Sequence, residues 1–277
     1  MPRAISYENV PLSIAHLCEL DTAPAKLIEI AGKAGFASVG LRIAPAAAGG
    51  IEYPLRASHE RNEVRQRMAA TGVSVLYVEL VSLSGTTRAE DHKALLETGA
   101  ALGATRLCVA GDSADLALVA DRLAKVCELA YQYGIEVDLE FMPFRAVRTF
   151  EDAAEVVRLA AQPNAHVLID TLHVWRSGSS LDRLRIFDPA KIGTLQICDA
   201  PLVAPPDAEL VTEARTHRLI PGQGGLALWP IIDTLPADIP IGVEVPLANL
   251  FPDLAPVERL SRLARETRKF LNKRHAS

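Results

Sequence analysis

The sequence has few cysteines, and none of them are paired at the spacing of a redox or zinc motif. The four cysteines are Cys18, Cys108, Cys127 and Cys198, and no CxxC motif occurs. Most of them lie within apolar stretches that have the pattern of strands or helices, which fits buried, reduced thiols better than disulfides. The sequence therefore predicts a protein of a reducing compartment.

Long apolar runs and an excess of basic residues are also missing. No run approaches the roughly 18 residues that a membrane-spanning helix requires. The first residues contain no apolar stretch of signal-peptide length. The formal net charge is −5, which argues against a surface that neutralises nucleic-acid phosphates. We therefore expect a cytoplasmic protein that binds neither a membrane nor nucleic acid and whose partner is a small molecule.

Short apolar runs alternate with longer segments of helical periodicity along the whole chain. The runs predict strands at 12–17, 38–43, 75–81, 105–110, 136–141, 166–170, 192–198 and 241–245. Apolar residues at helical spacing predict helices at 23–34, 59–71, 88–102, 116–133 and 150–161. Several of these helical segments are followed directly by a glycine, the residue that most often ends a helix. The chain is therefore predicted to be an α/β protein.

This alternation predicts a parallel sheet whose strands are connected by helical crossovers. Eight such units within 277 residues fit a closed (β/α)8 barrel. An open doubly wound sheet is the competing architecture, but the first predicted strand lacks the GxGxxG turn of dinucleotide-binding folds. We therefore predict a single TIM-barrel domain over residues 1–277, in which an amphipathic helix at 256–273 closes the outer ring. Residues 199–215 are rich in proline, alanine and acidic residues and predict a long functional loop.

Four predicted strands end on a side chain that can bind a metal ion. Glu140, Asp170, Gln196 and Glu244 come at the ends of the last four strands. The carboxyl ends of the strands of a parallel barrel meet at one face, where such barrels build their active sites. Any one of these side chains alone could be a loop cap or half of a salt bridge, but four at the same end are harder to explain in that way. Their oxygen atoms suit a hard divalent ion, so the sequence predicts a metalloenzyme.

The motifs around these residues resemble those of the xylose isomerase-like TIM barrels, also called the sugar phosphate isomerase/epimerase family. The motifs are LEFMP at 139–143, IDTLH at 169–173, LQICDA at 195–200 and GVEV at 242–245. The resemblance implies that Glu140, Asp170, Gln196 and Glu244 hold one divalent ion and that His173 and Arg218 bind the substrate. His16 ends the first predicted strand and is a further candidate for substrate binding, with a supporting hydrogen-bond role as the alternative.

The resemblance further implies an isomerase or epimerase that acts on a keto-sugar or a related polyhydroxy ketone. The ion would stabilise the enediolate that forms when the proton between a ketone and a hydroxyl group is removed. Glu140 and Glu244 would act as acid and base in this reaction. Many epimerases of the family have histidine where this chain has Gln196. An all-oxygen ligand set favours Mn²⁺ or Mg²⁺, with Zn²⁺ or Co²⁺ as the other possibilities.

Loss of a β-hydroxyl group from the same intermediate would give dehydration instead. A metal-dependent dehydratase (lyase) of the 3-dehydroshikimate or inosose dehydratase type is therefore the alternative, and Gln196 and the candidate arginines favour it. Arg145 could contact a substrate carboxylate, and Arg42 and Glu79 could pair with each other or with a ligand. Endonuclease IV, another relative, needs three metals and many histidines, whereas this chain has seven scattered histidines. The resemblance is also compatible with a homodimer or a homotetramer.

Overall fold

The chain folds into a closed barrel of parallel strands. The computed structural model describes residues 10–47 and 49–273. Within these ranges eight strands pair in sequence order, and the last strand pairs with the first. The strands are β1 (Leu12–Ile14), β2 (Ser38–Arg42), β3 (Ser74–Leu83), β4 (Arg106–Gly111), β5 (Glu136–Glu140), β6 (Ala165–Asp170), β7 (Ile192–Ile197) and β8 (Ile241–Val243). The prediction of a (β/α)8 barrel is confirmed. The prediction of one domain over residues 1–277 stays a prediction, because residues 1–9, 48 and 274–277 lie outside the described ranges.

Helices follow the strands and surround the barrel. They are α1 (Pro24–Ala34), α2 (Ser58–Thr71), α3 (Lys93–Ala101), α4 (Leu116–Tyr131), α5 (Phe150–Ala160), α6 (Thr171–Ser177), α7 (Leu181–Ile186), α8 (Leu210–Thr216), α9 (Trp229–Ile232), α10 (Leu247–Leu250) and α11 (Pro256–Asn272). Short 3₁₀ turns occupy His16–Glu19, Ala89–His92, Pro189–Lys191 and Asp207–Glu209. None of the helices in the described part of the chain has the length and apolarity needed to cross a membrane.

The final helix, α11, corresponds to the helix expected at 256–273. It packs against α1 and α10, and its Arg259 pairs with Glu19 near the end of the first 3₁₀ turn at 2.5 Å. Arg268 donates hydrogen bonds to the carbonyl oxygens of Val10 and Gly35. These contacts attach the end of the chain to its beginning on the outside of the barrel.

The loop predicted at 199–215 contains a helix, which corrects that expectation. Helix α8 buries Leu210, Glu213 and Ala214, which lie three and four residues apart and therefore share one helical face. The carboxylate of Glu213 accepts two hydrogen bonds at 2.7 Å from Arg176, whose side chain is also buried. The proline-rich and acidic composition of the segment concealed this helix, because the buried acidic residue is stabilised by a partner 37 residues away.

Polar and aromatic side chains, together with apolar ones, fill the interior of the barrel. Asp138 of β5 accepts hydrogen bonds from Arg106 and Thr194, each at 2.6 Å. Tyr77 reaches from β3 to Gln196 of β7, and a Cβ atom at Gly40 would lie only 2.2 Å from the Tyr77 ring. Glycine at position 40 therefore provides the space for the aromatic ring, and the ring fills the barrel directly below the strand ends.

Candidate metal centre

The last four strands bring the four predicted ligands to one mouth of the barrel. Glu140 and Asp170 are the final residues of β5 and β6, and Glu244 follows β8 directly. Gln196 on β7 is the register partner of Asp170, so the two side chains leave neighbouring strands side by side. All four residues are buried. Buried carboxylates are costly unless a cation or hydrogen-bond donors compensate them, so this cluster requires positive charge.

Asp170 also begins helix α6, and this arrangement places His173. Asp170 Oδ1 accepts hydrogen bonds from the backbone N–H groups of Leu172 at 2.8 Å and His173 at 3.1 Å. Because the helix starts at the strand end, the imidazole of His173 lies at the mouth of the barrel. Its Nε2 atom is 3.5 Å from Glu140 Oε1. Potential ligand atoms of Glu140, Asp170 and His173 all lie within 4.8 Å of one another. Burial lowers the pKa of His173 to about 4, so the ring is neutral near pH 7.

Arg218 contributes a buried positive charge to the cluster. Its Nη1 atom donates to Asp170 Oδ2 at 2.5 Å, and its Nη2 atom lies 2.9 Å from Glu244 Oε2. Its Nε atom donates to the carbonyl oxygen of Ala214 in α8 at 2.7 Å. One guanidinium does not balance the three carboxylates of Glu140, Asp170 and Glu244, so the cluster retains negative charge when all three are ionised.

Burial and the neighbouring charges shift the pKa values of the three carboxylates. Burial, reinforced by Glu244 and Asp170, raises the pKa of Glu140 well above its ordinary value. Burial likewise raises the pKa of Glu244 to about 7, although Arg218 opposes this increase. Burial also acts to raise the pKa of Asp170, but Arg218 and His173 outweigh it and the net change is a decrease. A divalent cation at the cluster would favour the ionised forms of all three groups.

Gln196 presents an unpaired oxygen to the same region. Its side-chain nitrogen donates to the hydroxyl oxygen of Tyr77 at 3.2 Å, whereas its Oε1 atom is buried and has no hydrogen-bond partner among the described residues. A buried carbonyl oxygen without a partner costs about 1–3 kcal/mol. This orphaned acceptor, on the strand next to that of Asp170, fits a hard divalent ion, which prefers oxygen ligands. The ligand roles of Glu140, Asp170, Gln196 and Glu244 stay predictions that this geometry supports.

The cluster opens into a cavity of about 310 Å³. Glu140, His173, Arg218 and Glu244 line its inner part, and Asp170 and Gln196 are not among the lining residues. Apolar side chains and further arginines form the remaining wall, including Leu17, Ile51, Met142, Phe144, Arg42, Arg145 and Arg215. A cavity of this size fits a small ligand. The two candidate proton carriers and both main candidate substrate-binding residues therefore face the same cavity.

His16 lies beside the cavity and is not among the residues that line it. Strand β1 ends at Ile14, so His16 belongs to the following 3₁₀ turn. Its Nδ1 atom accepts a hydrogen bond from the N–H group of Arg42 at 2.9 Å, and its Nε2 atom lies 2.9 Å from the carbonyl oxygen of Thr22. Burial lowers its pKa to about 4. These contacts fit the supporting role, and direct contact of His16 with substrate stays a prediction.

Two residues of the site were missed by sequence reasoning. Tyr77 shares the inward face of β3 with Glu79, two residues further along, and this alternation was a signal that could have identified it. Arg215 lies in α8, within the segment that composition predicted to be a loop, and no sequence signal placed it at the cavity. Glu79 pairs with Arg42 at 3.1 Å. Pairing with each other was one of the two expectations for these residues.

A closed parallel barrel with carboxylates and an amide at its strand ends defines the class of TIM barrels with a candidate divalent-metal centre. The family model for xylose isomerase-like TIM barrels matches residues 28–274 of the chain. The chain therefore belongs to the xylose isomerase-like TIM barrel family, as the sequence motifs predicted.

Characterised relatives match a shorter part of the chain. A 3-dehydroshikimate dehydratase of Pseudomonas aeruginosa is 33% identical over 113 residues, which are 40% of this chain and 17% of that protein. An inosose isomerase of Bacillus subtilis is 31% identical over 110 residues, which are 39% of this chain and 38% of that protein. The matches thus span well under two thirds of either relative. Among solved structures, the IOLI protein, crystallised with a bound zinc atom, has a TM-score of 0.78 at 21% identity over 96% of this chain and 99% of that one. This structural likeness shows the shared fold.

Proposed function

We propose that this protein is a divalent-metal-dependent isomerase or epimerase of a keto-sugar or a related polyhydroxy ketone. The observation that carries the proposal is the buried cluster of three carboxylates, the unpaired Gln196 oxygen and His173, of which Glu140, Glu244 and His173 face a ligand-sized cavity. The names of the two relatives, an isomerase and a dehydratase, support an enzyme that acts on a small molecule. A cytoplasmic location and a homodimer or homotetramer stay predictions.

Glu140, Asp170, Gln196 and Glu244 would hold the ion. When bound, the ion supplies Lewis-acid stabilisation of the negative charge that develops on a substrate oxygen. The all-oxygen set favours Mn²⁺ or Mg²⁺, and the zinc atom in the structure of the IOLI protein keeps Zn²⁺ among the candidates together with Co²⁺.

Glu140 and Glu244 are the proposed proton carriers. Both carboxylates line the cavity, and both have raised pKa values, with that of Glu244 at about 7. A carboxylate whose pKa lies near the working pH both accepts and returns a proton efficiently. Arg218 contacts the Oε2 atom of Glu244, so Oε1 is the oxygen that Arg218 leaves free for proton transfer. One glutamate would remove the carbon-bound proton, and the other would return a proton to the opposite face or to the adjacent carbon.

His173 and Arg218 would position the substrate oxygens next to these carboxylates. The neutral imidazole of His173 can donate one hydrogen bond, and its Nδ1 atom has no partner among residues 10–47 and 49–273. Arg218 is fixed by Asp170, Glu244 and the Ala214 carbonyl. A side chain fixed by three contacts loses little additional freedom when it binds a ligand, which favours accurate orientation.

A metal-dependent dehydratase is the second candidate function. Gln196 at the predicted ligand position and the arginines of the cavity wall favour it, because an acidic polyhydroxy ketone of the dehydroshikimate kind would find cationic partners there. Both reactions begin with the same proton removal. They differ in whether a proton returns to carbon or a β-hydroxyl group leaves.

Incubation of the manganese-loaded protein in D₂O with keto-sugars and with polyhydroxy keto acids distinguishes these functions. An isomerase or epimerase incorporates deuterium at carbon and leaves the ultraviolet spectrum almost unchanged, as NMR and absorbance would record. A dehydratase produces a conjugated product that absorbs in the ultraviolet. A Glu140→Gln variant is the control for both signals. Absence of both signals across the panel would contradict the proposed function.

A further inference from the structure

Three arginines besides Arg218 line the cavity wall close to one another. Arg42, Arg145 and Arg215 come from β2, from the segment after β5 and from α8, and all three line the cavity. Their proximity is reflected in the proton affinity of Arg215, because burial and then the charges of Arg145 and Arg42 lower its pKa. Like charges that face one another are stabilised when an anion lies between them.

Two of the three arginines already have a carboxylate partner. Arg42 pairs with Glu79 at 3.1 Å. Arg145 pairs with Asp112 and also donates to Ser82 Oγ at 3.1 Å and to the carbonyl oxygen of Ala46 at 2.9 Å. The side chains of both arginines are largely buried. These contacts fix the two guanidinium groups and balance their charge.

Arg215 has no such partner. Its side chain is exposed at the cavity mouth, and it makes no hydrogen bond or ion pair with any other residue that the structure describes. The preceding residue, Ala214, accepts a hydrogen bond from Arg218 at the inner end of the cavity. Helix α8 therefore connects an uncompensated charge at the mouth with the candidate metal centre.

We propose that the substrate carries a carboxylate group that Arg215 binds at the mouth of the cavity, while the ketone end of the substrate lies at Glu140 and Glu244. This inference depends on the proposed function and narrows its substrate to a polyhydroxy keto acid. One unbalanced arginine matches one negative charge. Glu79 and Asp112 stand beside the other two arginines and repel a second charge, so a carboxylate fits this site better than a phosphate dianion.

A matched pair of ligands tests the proposal. L-Sorbose and 5-keto-D-gluconate differ only in a terminal hydroxymethyl group, which is a carboxylate in the acid. Calorimetric titration of the manganese-loaded protein with each ligand should show that the acid binds about ten- to hundred-fold more tightly, the range expected for a charge-assisted hydrogen bond. In Arg215→Gln this ratio should fall to near one. Arg183→Gln removes an equal charge from an exposed position on α7 that does not line the cavity, and the ratio should persist there.

Several results would overturn the inference. Equal binding of sugar and acid by the wild type, failure of the acid to bind, or an unchanged ratio in Arg215→Gln would each exclude a carboxylate subsite at Arg215. Tighter binding of L-sorbose 6-phosphate than of the acid would assign the subsite to phosphate instead. Deuterium incorporation tests the proposed function independently of these binding measurements. Turnover of neutral sugars without any preference for the acid contradicts the subsite alone, whereas Arg215-dependent binding of the acid without turnover contradicts the proposed function alone.

Discussion

Replacement of Tyr77 by phenylalanine should weaken metal binding without touching a predicted ligand. The Tyr77 hydroxyl oxygen accepts the hydrogen bond from the Gln196 side-chain nitrogen, and this bond leaves the amide oxygen free for the ion. In Tyr77→Phe the buried nitrogen loses its acceptor, at a cost of about 1–3 kcal/mol. The amide can then rotate and present nitrogen to the cluster. Loss of a group that orients a ligand typically reduces metal affinity about ten- to hundred-fold, and we expect a loss in that range.

The assay is a titration of metal-free wild type and variant with Mn²⁺, accompanied by thermal unfolding with and without the ion. Phenylalanine preserves the ring that fills the barrel beside Gly40, so the fold should persist. Tyr133→Phe is the matched control, because the Tyr133 hydroxyl group contacts the exposed side chain of Glu97 at 3.4 Å, far from the centre. If Tyr77→Phe binds Mn²⁺ as tightly as the wild type, the amide of Gln196 is not held for the ion and its role as a ligand fails.

Three further predictions concern the candidate ligands. Gln196→His should keep a divalent ion but shift the preference towards Zn²⁺ or Co²⁺, and competition titrations with Mn²⁺ and Zn²⁺ would show no shift if the residue lies outside the coordination sphere. Glu140→Gln and Glu244→Gln should each reduce kcat at least 100-fold, roughly the contribution of general acid–base catalysis, whereas His173→Ala should mainly raise KM. The metal content of each variant is measured together with its rate, and a glutamate variant that keeps both its ion and full activity would exclude that glutamate as acid or base. Burial raises the pKa of Glu244 to about 7, so the metal-free protein should lose stability as the pH rises through about 7 and the buried carboxyl group ionises. The affinity for Mn²⁺ should increase over the same pH range, because the ion binds the ionised carboxylate. A metal-induced increase in Tm that is the same at pH 6 and pH 8 would contradict the role of Glu244 as a ligand.

The strand ends could be predicted from the sequence because two local properties define them. Buried strands of a parallel barrel are largely apolar, so a charged residue that terminates an apolar run, as Asp170 does after residues 167–169, marks the mouth of the barrel. Strand β5 instead alternates acidic and apolar residues, and Glu140 is its last residue. The side chains that contact these strand-end residues could not be predicted in this way. Arg218 reaches Asp170 across 48 residues of sequence, and Tyr77 reaches Gln196 across 119. These contacts exist only after the barrel closes.

Helix α8 is a second feature that the sequence pattern could not predict. Its buried face is short and includes Glu213, so the apolar periodicity that indicates a helix is weak. The helix depends on Arg176, which lies in α6. The position of Arg215 at the cavity therefore follows from a tertiary contact and from no pattern within its own segment. His16, predicted to end the first strand, likewise makes its hydrogen bonds to the distant Arg42 and to Thr22, which no local pattern indicates.

Asp170 and Gln196 differ in how well each position should tolerate substitution. This difference bears on how the metal preference of such a site could evolve. Asp170 starts helix α6, pairs with Arg218 and stands beside His173, so any substitution there disturbs the helix, the charge balance and the imidazole together. The side chain of Gln196 makes one hydrogen bond with the part of the chain that the structure describes, to Tyr77. We therefore expect a single mutation at position 196 to change the metal preference of the candidate centre while the fold persists. A directed-evolution library aimed at new metal specificity should begin at positions 196 and 77 and leave position 170 untouched.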